Sequence, residues 1–122
     1  MNSYNPHGDL SEYGKRPITT TTHTIPKEMV KPFEADAKEI YETALTLLLK
    51  KHRDYGPKNI SQSPGGALNG LRVRMWDKFA RINNLIDTGA TPENESLRDS
   101  FLDLANYAMI AMMVLDNKWP EK

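Results

Sequence analysis

The stretch Tyr107-Ala-Met-Ile-Ala-Met-Met-Val-Leu115 has no polar side chain beyond one phenol hydroxyl. A helix that is apolar all round has to be enclosed on every side. A chain of 122 residues has room for one domain, and three helices of one small domain do not supply a fourth wall. The segment therefore predicts a second copy of the chain against it, as a homo-oligomer (dimer or higher). The other reading is that the chain's own N-terminal segment covers it.

That N-terminal segment is a poor core contributor. Residues 1–32 hold few apolar side chains, and Pro6, Pro17, Pro26 and Pro32 punctuate them. Thr19 to Thr22 favour extended backbone over helix. We expect an extended arm over 1–32, either a loose tail or a segment laid on a partner. Residues 33–122 then form the α-helical domain. The fold class expected is all-α, a compact bundle of three main helices with an extended N-terminal arm, oligomeric.

Helical periodicity places the three helices. The first covers 33–53, with apolar residues at 33, 37, 40, 41, 44, 45, 48 and 49. Pro32 sits where its missing N–H costs nothing, and Gly56-Pro57 ends the helix. Residues 54–66 read as an irregular loop, long enough to be functional or disordered. The second helix covers about 67–87 and stops at Gly89. The third covers about 96–117, with Ser96 as N-cap and Asp99 three residues on. Trp76 and Trp119 fall at helical positions and read as packing residues.

Composition removes several function classes. With no cysteine there is no disulfide scaffold, thiol nucleophile or Cys-based zinc site. His7, His23 and His52 lack ligand spacing. Sixteen Lys+Arg against sixteen Asp+Glu is no general polyanion binder, which argues against nucleic acid as partner. No apolar run reaches a membrane span, and the polar stretch Met1 to Leu10 is not a signal peptide. A soluble, cytoplasmic domain is expected.

Polar residues interrupt the apolar pattern in three places. Glu95, Asp99, Asp103 and Asn106 are spaced by four, four and three, which places them on one stripe of a helix. Stacked carboxylates repel unless a cation sits among them, and oxygen ligands suit Mg²⁺ or Mn²⁺. Glu95, Asp99 and Asp103 are therefore candidate metal-binding and catalytic residues. The plainer reading is that acidic residues gather at a helix start because the dipole favours them; it suits Asp103 and Asn106 least. On the second helix Arg74, Lys78 and Arg81 align. They either pair with the acidic stripe or bind phosphate oxygens. The loop Lys51-His-Arg-Asp54-Tyr55-Gly-Pro-Lys58-Asn59 mixes donors with a ring. Lys51 and Lys58 suit phosphates, Tyr55 a base face and Asn59 a base edge; an ordinary helix end followed by a turn is the alternative.

The order of these motifs resembles a known family. Asp54-Tyr-Gly56, then Met75-Trp-Asp-Lys78-Phe-Ala-Arg81-Ile-Asn-Asn-Leu85, then Glu95-Ser-x-x-Asp99-x-x-x-Asp103-x-x-Asn106-Tyr107 resembles the phage-enriched nucleotide modification associated domain, type one. The resemblance covers about 33–116. That family in turn looks similar in architecture to all-α nucleoside triphosphate pyrophosphohydrolases of the MazG and dimeric dUTPase group, which hold Mg²⁺ on nucleotide phosphates with helix-borne carboxylates. The resemblance implies nucleotide handling in a phage or bacterial cytoplasm. Carried over by motif, it points to Asp54, Tyr55, Lys78, Arg81, Asn106 and Tyr107 for the ligand, and to Glu95, Asp99 and Asp103 for metal. The pyrophosphohydrolase pattern also needs a second acidic pair, for which Glu39 and Glu42 have the spacing. Two functions are expected to compete. One is Mg²⁺-dependent hydrolysis of a nucleotide phosphoanhydride bond, and the other is non-catalytic binding that sequesters a nucleotide signal of host defence.

Overall fold

A computed structural model describes residues 31–121. The expected arm therefore lies outside the described residues, except for Lys31 and Pro32. The described residues form four helices and no strand: α1 (Pro32–Tyr55), α2 (Lys58–Ser61), α3 (Ala67–Thr88) and α4 (Leu97–Leu115). No helix among them is long and apolar enough to cross a membrane.

Each boundary has a local cause. Pro32 opens α1 with Glu34 in the first turn, and His52 and Arg53 lie in the last, so charge matches the helix dipole at both ends. Gly56 takes the left-handed conformation, φ 68°, and its N–H reaches back to the His52 carbonyl at 2.8 Å. Gly89 ends α3 the same way, through Leu85. Ser96 caps α4 as expected, its hydroxyl accepting from the Asp99 N–H at 3.0 Å. Asn117, with φ 56°, ends α4 two residues before the expected limit, and Lys118 N–H then bonds the Met113 carbonyl at 2.8 Å. The stretch 54–66 is less irregular than expected. It holds the one-turn helix α2, anchored by the buried side chain of Ile60.

The core is small. Ile60, Leu71 and Ile110 are its buried centre, with Leu48, Tyr107, Ala111 and Val114 packed around it. Ile82 is buried elsewhere along α3. α3 packs chiefly on α4, while α1 leans on α4 less extensively and buries no residue fully. Asn106 spans that weaker contact, donating from Nδ2 to the Ala44 carbonyl at 3.1 Å. Past α4 the chain turns back, and Trp119 Nε1 donates to the Pro57 carbonyl at 3.1 Å. Trp119 is thus not helical, contrary to expectation. Nor is α4 enclosed by the described residues: Met109, Met112 and Leu115 remain exposed.

Candidate functional site

The inner face of α4 carries the buried polar groups of the fold: Ser100, Asp103 and Asn106. Burying such groups costs free energy unless they are paired, and two of them anchor a charge network. Asp103 Oδ1 takes Lys51 Nζ of α1 at 2.9 Å, and Oδ2 takes Lys78 Nζ of α3 at 2.8 Å. Lys78 also donates to Glu95 at 2.7 Å. Arg81 donates to Ser100 Oγ at 2.6 Å, and Ser100 Oγ donates in turn to Glu95 at 2.6 Å. Arg81 further bonds the Glu95 backbone carbonyl. The basic residues of α3 and the acidic segment thus pair directly, one of the two expected outcomes. Three cations face two carboxylates, so the network carries one positive charge in excess.

Asp103 sets the electrostatics here. Burial works to raise its carboxyl, but the hydrogen bonds from Lys78 and Lys51 outweigh that and hold it below the usual carboxylate range. The lysines respond in kind. Burial would lower each ammonium, yet the Asp103 partner raises Lys51, and Asp103 with Glu95 raises Lys78.

The expected carboxylate stripe is not assembled. Glu95 lies before the first turn of α4 and turns toward α3, because Ser96 interrupts the chain as N-cap with extended backbone. Asp99 is exposed in the first turn. Glu39 and Glu42 are exposed on α1. Among the described residues no three acidic or histidine side chains are grouped to hold a metal ion. The donor set therefore does not fit a metal as arranged: each buried carboxylate already faces ammonium or guanidinium groups.

Beside the network opens a cavity of about 220 Å³. The face of α1 that reads Leu48, Lys51, His52 and Tyr55 forms one wall, at helical spacing of three, one and three. Asp103, Asn106 and Tyr107 of α4 form the facing wall, with Asn59 of α2, Arg74 of α3 and Trp119 closing it. Four rings thus border the space, and His52 meets Trp119 edge-on with centroids 5.1 Å apart. Two polar atoms of this lining are buried with no partner: Asn59 Oδ1 and His52 Nδ1. Arg74 donates to the Asn59 carbonyl at 2.8 Å and forms no ion pair among the described residues.

Of the expected ligand residues, Lys51, Tyr55, Asn59, Asn106 and Tyr107 line this cavity together with Asp103. Lys78, Arg81 and Glu95 stand behind them in the network. Asp54 is exposed and lines no part of it. Arg74, a phosphate candidate from its alignment on the helix, also lines the cavity, while the sequence reading missed His52 and Trp119. His52 was legible through its spacing from Leu48 and Tyr55, whereas nothing in the sequence announces the return of Trp119.

Comparison with curated proteins and with solved structures gives no match. Comparison with family models gives one for residues 51–115, described as nucleotide modification associated domain 1. The match begins at Lys51, the first charged residue of the cavity wall, and runs to Leu115 at the end of α4. It spans more than half of the chain, which therefore belongs to the nucleotide modification associated domain 1 family.

Proposed function

We propose that the chain binds a nucleotide in the ring-lined cavity and holds it without cleaving it. The observation that carries this reading is the pair of buried, unpartnered polar atoms in the cavity lining, Asn59 Oδ1 and His52 Nδ1. A buried polar atom without a partner costs about 1–3 kcal/mol, a cost that a ligand donor at that point removes. Asn59 Oδ1 suits an N–H donor such as the exocyclic amine of a base. The rings of Tyr107, Trp119 and Tyr55 offer stacking surface, worth roughly 1–3 kcal/mol per base.

The phosphate end follows from charge. Lys51 gives Asp103 one hydrogen bond and leaves its side chain 44% exposed, so its other N–H groups are available to an anion. Arg74 supplies a guanidinium on the same cavity. Asp103 and Glu95 orient the cations in this reading and do not act as metal ligands. Sequestration is favoured over Mg²⁺-dependent hydrolysis because both carboxylates are engaged by lysine.

The test is calorimetry and thermal shift with a panel of nucleoside mono-, di- and triphosphates and cyclic nucleotides, in Mg²⁺ and in EDTA. Binding that survives EDTA, with the nucleotide recovered intact by mass spectrometry, is expected. Absence of binding across the panel overturns the reading. Mg²⁺-dependent turnover abolished by Asp103→Asn would establish the hydrolytic alternative.

A further inference from the structure

α4 has a second side, and it points away from the cavity. Phe101, Ala105, Ala108, Met112 and Leu115 repeat at spacings of four, three, four and three. That is the seam of a helix that packs against another helix. Four of the five are exposed and Ala108 is half-buried. On the flank, Trp76 and Phe79 of α3 rise beside them, 67% and 51% exposed. Ala105 and Ala108 form the floor of an apolar groove of about 540 Å³ between these walls. With Met109, Met112 and Leu115, the face leaves roughly 600–700 Å² of side chain bare, at or above the largest patch of a typical monomer. That is close to the ~800 Å² that one partner gives a standard interface.

We infer that this face is the two-fold interface of a homodimer, with α4 packed antiparallel on α4 of a second copy and Ala108 near the axis. Two observations select this occupant. The small residues Ala105 and Ala108 lie at the middle of the seam and the large Phe101 and Leu115 at its ends, so an antiparallel crossing at Ala108 lets the two helices approach closely, with Ala105 near Met112 of the partner subunit. Parallel pairing would instead set Phe101 on Phe101 and Met112 on Met112. An isologous interface further requires one surface to complement itself, and a groove floored by alanine beside a ridge of Trp76 and Phe79 does so.

The absence of cysteine makes the register directly measurable. Light scattering of the full chain is expected to give about twice 13.9 kDa. Under mild oxidation Ala108→Cys is expected to form a disulfide-linked dimer. Arg98→Cys is not, because ten residues either side of the axis separate the two copies by about 30 Å. Met112→Lys is expected to shift the dimer to monomer while far-ultraviolet circular dichroism retains its helical signature. A monomeric wild-type chain overturns the inference. So does a dimer in which Arg98→Cys cross-links as well as Ala108→Cys, or in which neither does.

Discussion

Asn59 and Asp103 make opposite predictions about stability. Asn59 Oδ1 is buried without a partner, so its loss removes a cost from the empty protein. Asn59→Leu is expected to leave melting unchanged or raised, while weakening nucleotide binding by about 10-fold or more. Calorimetry alongside thermal melting separates the two effects. Asp103 holds two ammonium groups on a side chain only 8% exposed. Asp103→Asn removes the charge that both lysines face, and should cost about 2–3 kcal/mol in denaturant unfolding. The lower end is favoured because Lys51 is half open to solvent.

The pH dependence follows from the same residue. The folded-state pKa of Asp103 is depressed, so its contribution is present above the unfolded value of roughly 3.9. It is lost as pH falls through the folded value. Lys51 and Lys78 are raised; their share is full below roughly pH 10.4 and is lost as pH rises through the folded values. Wild-type melting should therefore fall on the acid side below about pH 4, and Asp103→Asn should flatten that limb. An unchanged acid limb in the variant would refute the assignment.

At the scale of elements, the joint between α2 and α3 is the tightest point. A Cβ at Gly70 would collide with the Ser63 side chain, whose hydroxyl in turn bonds the Asn59 carbonyl. Gly70→Ala should gain helix propensity, about 1 kcal/mol, and yet destabilise, because α2 must move. Its binding loss should exceed its stability loss, since α2 carries Asn59. Ser96→Ala should cost about 1 kcal/mol through the lost cap. Both are read from urea midpoints.

The long helices were legible because their apolar residues keep one period across many turns. α2 was not, since a single turn offers one apolar residue, Ile60, and no period. The end of α4 was overshot because Asn117 takes a left-handed conformation that glycine usually signals. The site was half legible for a similar reason. Spacing identifies neighbours only inside a helix, so Lys51 and Asp103 were found but Glu95, one residue before the cap, was assigned to the wrong stripe. Trp119 reaches the cavity through a chain reversal, which no local pattern encodes.

On the scale of the whole molecule, the described residues bury four large apolar side chains while leaving fifteen exposed. A domain with so small a core would gain stability from the association inferred above. Thermal melting should therefore rise with protein concentration, by a few degrees per decade, and Met112→Lys should abolish that dependence. A melting point independent of concentration would mean that the chain folds alone. α1 has its own bare set, Phe33, Tyr41 and Leu45 among them, so any residual dependence in Met112→Lys maps to that helix.

The two tryptophans divide these events between them. Trp119 closes the cavity edge-on to His52, and Trp76 stands on the exposed ridge of α3. The indoles are therefore separate optical probes. In Trp76→Phe the remaining emission reports the cavity, and a nucleotide stacked there should quench it. In Trp119→Phe the emission should shift to the blue on concentration and ignore the nucleotide. One chain thus carries two native fluorophores, one at the proposed ligand cavity and one beside the inferred interface, and neither needs a label.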